Sequence, residues 1–134
     1  MPAAATLRPA VPTIDDGLAF ARLLDQAEEG MFRVMLGPRA GTIVATAFTR
    51  SGHELSHDHV VFAEQDGRVV GMVSAYPAEA QRRFTEAPLR AAAGWRRHRM
   101  AAFARFNRRA FDFMATLADG DYYVRALAVD PGRR

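Results

Sequence analysis

The sequence closes on YYVRALAVDPGRR, residues 122–134. Tyr122 to Val129 mixes aromatic, β-branched and small residues, which suit a pleated surface, and the Asp130-Pro131-Gly132 turn stops the run. A strand is therefore expected over 122–129. Two arginines, Arg133 and Arg134, follow the turn.

Upstream of that strand the period changes. Between Thr85 and Leu117, the residues Phe103, Phe106, Ala110, Phe113 and Leu117 fall on one helical stripe, with Arg105, Arg108 and Arg109 on the opposite side. The apolar stripe is expected to be buried and the arginines solvated. One straight helix would push Arg96 and Arg99 onto the apolar side, so a break is expected near Gly94. Further upstream stands AEQDGRVVGMVSAYP, residues 63–77. Asp58 to Glu64 and Val69 to Tyr76 are strand-like runs around an Asp66-Gly67 turn, a strong hairpin signal because the tight turn needs positive φ. Pro77 ends the second run, and 122–129 is expected beside it. Towards the N-terminus, Gly41 to Phe48 suits strand or helix, and Met31 to Leu36 reads as a second short helix or a turn, stopped by Gly37-Pro38. A helix capped by Thr13, with Asp15 and Asp16 in its first turn, runs to about Gly30. Thr6 to Ala10 reads as a short first strand. No repeat or linker divides the chain.

The 134 residues suffice for one domain with a real core, and 49% hydrophobic with 25% charged residues is ordinary globular composition. There is no cysteine, which excludes disulfides, thiolate metal sites and a cysteine nucleophile, and which is compatible with a reducing cytoplasm. All 18 basic residues are arginine, so a lysine nucleophile or Schiff base is excluded as well. Residues 1–79 hold 6 arginines against 10 acids, a balance of −4, and residues 80–134 hold 12 against 5, a balance of +7. Such a basic half invites an anionic partner. The N-terminus lacks the pattern of a signal peptide, and no apolar stretch is long enough to span a bilayer, so a cytoplasmic protein without a membrane partner is expected.

His53, His57 and His59 cluster, and His57 and His59 would share a strand face. No carboxylate completes a convincing ligand set, although Glu54 and Asp58 are near, so a polar loop rather than a metal site is expected. Ser56-His57-Asp58 holds the residue types of a catalytic triad, but neighbours on an extended chain point to opposite faces and cannot line up. The arginine-rich stretch 96–109 interleaves Trp95, Phe103 and Phe106, yet the phenylalanines sit on the stripe expected to be buried. Nucleic acid is therefore not the expected partner.

The order strand, helix, helix, hairpin, helices, strand, with LAVDPGRR at the end of the last strand, resembles the GNAT acetyltransferases. In that family the fourth strand ends in a Val-x-Pro turn, after which an Arg or Gln opens the acetyl-CoA signature R/Q-x-x-G-x-G/A; Arg134 stands at that opening position. The hairpin at 63–77 looks like strands two and three of the family. The helical segment 79–120 departs from members that have only a turn there and resembles a subset of bacterial members. The resemblance implies an α+β (α/β-type) fold: a mostly antiparallel mixed sheet flanked by helices, truncated after strand four, with a helical insertion between strands three and four. It implies a single partial domain over 1–134, to be continued by the glycine loop and the C-terminal half of the fold.

By the same resemblance the chain is an N-acetyltransferase that uses acetyl-CoA as cosubstrate to modify a small-molecule or peptide amine, weakly active or inactive at this length. Leu127, Ala128, Val129 and Arg134 are the implied cofactor-binding residues. The Leu127 amide would bond the thioester carbonyl, the Val129 backbone would pair with the pantetheine arm, and Arg134 would begin the pyrophosphate loop. An acidic base that some members carry on strand four would fall near Tyr123, which is tyrosine here. Glu54, His57 and Tyr76 are further candidates by residue type. Segment 79–120 and loop 49–57 are expected to shape the acceptor site. An open edge on strand four implies a homo-oligomer or a second chain that completes the sheet. The competing reading is a non-catalytic binding or regulatory module whose basic helix contacts an anionic partner.

Overall fold

The computed structural model describes residues 3–106 and 117–134. Its elements run β1 (Thr6–Pro9), α1 (Ile14–Ala27), α2 (Met31–Leu36), α3 (Ala40–Phe48), β2 (Val60–Gln65), β3 (Arg68–Pro77), α4 (Ala78–Gln81), α5 (Ala87–Ala93), α6 (Arg97–Phe106) and β4 (Tyr122–Val129). Single 3-10 turns stand at His57–His59, Gly94–Arg96 and Pro131–Arg133. Arg108, Arg109, Ala110, Phe113 and the side chain of Phe106, which the helical stripe placed, lie outside the described residues.

The hairpin forms where Asp66-Gly67 predicts it. Asp66 at φ +53° and Gly67 at φ +73° join β2 to β3. The upstream boundary differs from expectation, because Asp58 and His59 belong to a 3-10 turn and β2 starts at Val60. Ser56 causes this: its Oγ accepts the Asp58 N–H at 3.1 Å and caps the turn. His57 and His59 therefore do not share a strand face.

The four strands form one sheet in the order β1-β2-β3-β4, and every neighbouring pair is antiparallel. This corrects the expected mixed sheet: among the described residues no strands pair in parallel. The neck of the insertion gives the reason. Ala78, just past β3, donates its N–H to the Asp121 carbonyl at 2.9 Å, just before β4. Gly120 donates to the Glu79 carboxylate at 2.6 Å, and Arg82 donates to the Leu117 carbonyl at 2.6 Å and pairs with Asp119. The insertion leaves and re-enters at one end of the sheet, so β3 and β4 remain a hairpin with a helical excursion, and their pairing must be antiparallel. Within the insertion α5 stops at Ala93, and Gly94 at φ +59° makes the predicted break before α6. Leu89, Ala93 and Met100 are buried, Phe103 is half-buried against the core, and Arg105 is exposed.

Charge ties the first helix to the sheet. Thr13 Oγ1 accepts the Asp16 N–H at 3.2 Å. The buried Asp16 carboxylate accepts from both terminal nitrogens of Arg8 at 2.8 Å and from the Val11 N–H at 2.9 Å. Arg8 on β1 also pairs with Glu64 on β2. The hydrogen bonds from Arg8 hold the Asp16 carboxyl below the usual carboxylate range.

Gly41 to Phe48, open between strand and helix from sequence, falls within the helix α3. Ile43, Val44, Ala45, Ala47 and Phe48 are all buried, and Thr46 turns its hydroxyl back onto the Thr42 carbonyl at 2.8 Å. Burial on most sides explains why the segment lacks a clean amphipathic period. The inner face of the sheet, with Phe62, Met72, Ala126 and Ala128, joins the same core as Phe20 and Phe48, whose rings stack at 5.1 Å. On the outer face Val61, Val73 and Leu127 lie opposite one another in register, and among the described residues nothing covers Leu7, Val61 and Leu127, which are exposed. Among the described residues no helix is long and apolar enough to cross a membrane.

Helices α1 and α3 touch at Gly17, where a Cβ would stand 2.6 Å from the Ala45 carbonyl oxygen. Backbone cannot yield as a flexible side chain would. Gly17→Ala is expected to cost about 1–3 kcal/mol in chemical denaturation. An unchanged midpoint would show that the helices do not meet there.

Candidate functional site

β4 carries a bulge. Ala126 lies opposite Ser74 and Val124 opposite Ala75, so Arg125 faces no partner residue on β3. A bulge re-aims its side chain out of the strand's alternation. Here it turns Arg125 inward, where only 14% of its side chain is exposed; it pairs with Glu28 at the end of α1 and places Nε 3.4 Å from the Glu54 carboxylate. Desolvation pulls the guanidinium down to about 10, so it still carries its charge at neutral pH.

Glu54 stands at the centre of the candidate site. It lines two cavities, one of about 260 Å³ with Leu55, Phe84, Glu86 and Leu89, the other of about 100 Å³ with Met31, Met100 and Arg125. Both of the segments expected to shape an acceptor site, loop 49–57 and the insertion, contribute to the larger one. Burial pushes the Glu54 carboxyl up to about 7, and the charge of Glu86 adds to the shift, against a smaller opposing effect of the Tyr76 hydroxyl. The Arg125 guanidinium beside it is shared with Glu28. A third cavity, of about 270 Å³, lies among Leu18, Phe32, Pro38 and Val44 and includes none of the candidate residues.

Aromatic rings close the site from the sheet side. Tyr76 is fully buried, with ring centroids 5.6 Å from Tyr123, 5.4 Å from His59 and 4.8 Å from Phe84. Its hydroxyl has no hydrogen bond of normal geometry among the described residues, and it senses the Glu54 carboxylate. Burial first, and then the charge of Glu54, raises the pKa of both Tyr76 and Tyr123, so both phenols remain protonated.

Three of the four catalytic candidates, Glu54, Tyr76 and Tyr123, thus converge. His57 does not join them. Its Nδ1 donates to the Phe48 carbonyl at 3.0 Å and its Nε2 lies 3.2 Å from Asp58, so it fastens the 3-10 turn to the end of α3. His53 is a structural loop histidine: Nε2 donates to the Ala47 carbonyl at 2.7 Å, and Nδ1 accepts the Leu55 N–H at 3.3 Å. That pattern is the neutral tautomer, which burial also favours. Among the described residues no group of three or more His, Asp or Glu side chains could hold a metal ion. Ser56 spends its hydroxyl on the cap, so Ser56, His57 and Asp58 form no triad, although the segment is a turn and not extended.

Among the described residues β4 is the last strand of the sheet. The Asp130 N–H bonds the Val70 carbonyl at 2.8 Å, which sets the phase of the ladder: Asp130, Ala128 and Ala126 turn their backbone groups to β3, while Leu127 and Val129 turn theirs to the open edge. Arg134 folds back along it, and its Nε donates to the Val129 carbonyl at 3.0 Å.

Two solved structures share this architecture. A crystal structure of an acetyltransferase matches with a TM-score of 0.61 and 21% identity over 96% of this chain, and an N-acetyltransferase from Staphylococcus aureus Mu50 matches with 0.61 and 15% over 97%. The fold is an acetyltransferase fold. The chain spans 65% of the first of these proteins and 68% of the second. No family model matches it, and neither does any curated protein. Within this acetyltransferase fold, sequence reasoning missed Arg125, Glu28 and Glu86. The one available signal was Arg125 itself, the only charged residue within Tyr122–Val129.

The raised Glu54 pKa sets a pH dependence. The ordinary carboxyl value is 4.5 and the folded one about 7, so between them the folded chain holds the extra proton. The penalty for ionising Glu54 is absent below the lower value and complete above the upper one, so stability falls as pH rises through this window. Glu54→Gln is expected to flatten that part of the stability profile in thermal melts. An equal slope in both proteins would show that Glu54 titrates as an ordinary surface acid.

Proposed function

We propose that this chain belongs to an acyl-CoA-dependent N-acetyltransferase that moves an acetyl group from acetyl-CoA to a primary amine, with Glu54 as the general base. The observation that carries the reading is the Glu54 carboxyl, tuned to about 7 and fastened beside the β4 bulge, a few residues from outward-facing backbone groups at Leu127 and Val129. A base is most effective when its pKa lies near the working pH, because it is then both ionised and able to take a proton.

Acetyl-CoA supplies the activated thioester. The Leu127 N–H is directed at the open edge and donates to the thioester carbonyl, where negative charge develops during attack. Val129 pairs with the pantetheine arm once Arg134 releases its carbonyl, and the freed guanidinium is available to the anionic end of the cosubstrate. Ionised Glu54 takes a proton from the acceptor ammonium. The free amine then forms the N–C bond as the C–S bond breaks, and the proton shed by nitrogen on amide formation is balanced by the one the thiolate takes up. Tyr76 and Tyr123 hold their protons and orient the Glu54 carboxylate. No covalent enzyme intermediate is needed, in keeping with a chain that has neither cysteine nor lysine.

Glu54→Gln is expected to lower kcat by about 10²–10⁴-fold, and to remove the limb of the pH profile near the Glu54 value, in a thiol-release assay with acetyl-CoA and primary amines. A variant that keeps wild-type turnover and pH profile would sink the assignment of the base. Absence of acetyl-CoA-dependent thiol release with any amine, in a chain extended through the glycine loop and the next strand, would sink the transferase reading as a whole.

A further inference from the structure

The larger cavity beside Glu54 has a chemistry of its own. Its wall runs from His53, Glu54 and Leu55 through Phe84 to Glu86 and Leu89. Among the described residues its charged groups are two carboxylates and no arginine lines it, in a chain whose basic residues are all arginine and outnumber its acids. His53 does not change this balance, being neutral and bonded through both ring nitrogens. Leu55 and Leu89 are buried and give the cavity an apolar floor. The half-buried Phe84 presents a ring, on which a cation is held favourably. Independently, the fully buried Tyr76 hydroxyl beside Glu54 lacks a hydrogen bond of normal geometry among the described residues. That hydroxyl does not line the cavity; it bears on the site through Glu54, whose carboxyl it senses.

We propose that this cavity takes a small primary amine with an apolar body and no carboxylate beside its nitrogen, the ammonium group lying between Glu54 and Glu86. The proposal rests on the reading of Glu54 as the base and goes further, to the class of acceptor. Two carboxylates attract a cation and repel an anion, so an α-amino acid, which carries its own carboxylate at the reacting nitrogen, is selected against. At about 260 Å³ the cavity lies at the small end of ligand sites, which suits an arylalkylamine or a short alkylamine. Glu86 also accepts from Arg90 at 2.8 Å, one turn along α5, so Arg90 competes with the ligand for the same carboxylate.

The test is calorimetric titration of the protein with phenethylamine and, separately, with phenylalanine, which differs from it only by the carboxylate. Phenethylamine is expected to bind at least about tenfold more tightly. Glu86→Gln is expected to weaken phenethylamine about fivefold, whereas Arg90→Ala, which breaks the same pair but leaves the Glu86 carboxylate, leaves binding unchanged or tightens it. Equal or tighter binding of phenylalanine overturns the proposal. So does a loss common to both variants, which would show that Glu86 acts only by steadying α5, and so does a failure of phenethylamine to bind. The transferase reading is judged separately by thiol release. Phenethylamine that binds in this pattern but releases no thiol from acetyl-CoA sinks the reaction and leaves the site standing. Thiol release driven by phenylalanine in preference to phenethylamine sinks the acceptor class and leaves the reaction standing.

Discussion

Arg125 is a charged side chain turned inward from an edge strand, and the site is arranged around keeping it paired. An unpaired buried charge costs several kcal/mol, so its carboxylate partners cannot drift from it. Glu28 fixes the end of α1 against β4, and Glu54 brings loop 49–57 to the same point. Beyond the bulge that aims Arg125 inward the ladder is regular, and the Asp130–Val70 bond sets its phase so that Leu127 and Val129 turn their backbone groups away from β3. One strand thereby joins an acid on the helix side to an open ladder on the other.

The remaining polar ties stand where segments distant in sequence must meet. Arg8 joins β1 to both Asp16 and Glu64, and the Ala78–Asp121 bond closes the neck of the insertion. Arg22 on α1 reaches Asp130 and the Val69 carbonyl, linking the first helix to the exit of β4. Closing a long loop costs little more entropy than closing a short one, so an insertion as long as α4 to α6 is tolerated once its neck is sealed. The sealed neck leaves the insertion free to serve as a wall of the cavity, with Phe84, Glu86 and Leu89.

The electrostatics of the site follow from burial and from a shortage of uncommitted positive charge. Glu54 shares its surroundings with Glu86 and two phenols, while the Arg125 guanidinium 3.4 Å away is shared with Glu28. Ionising Glu54 is therefore unfavourable until a cation or a higher pH compensates. The same shortage keeps Tyr76 and Tyr123 protonated and His59 neutral, so the groups around Glu54 serve as uncharged donors and packing surfaces. The arrangement can accept a proton at neutral pH without a metal or a nucleophilic side chain.

The sequence by itself determined the elements whose signals are local. Asp66-Gly67 demanded a tight hairpin, Thr13 with Asp15 and Asp16 marked a helix start, Gly94 broke the insertion, and YYVRALAV read as a strand ended by Asp130-Pro131-Gly132. All of these depend on backbone conformation within a few residues, which side-chain identity controls directly. Tertiary structure decided what long-range contacts control. Gly41 to Phe48 became part of α3 because burial on most sides outweighed its β-branched residues. The 3-10 turn at His57–His59 moved the start of β2, and the neck at Ala78 and Asp121 made β3 and β4 an antiparallel pair. The candidate site divides in the same way. Glu54, Tyr76 and Tyr123 were legible as residue types able to handle a proton, but nothing local joins positions 54, 76 and 123. Their convergence, and the removal of His57 to a structural role, follow from the bulge at Arg125 and from the burial that tunes Glu54, neither of which exists until the chain has folded.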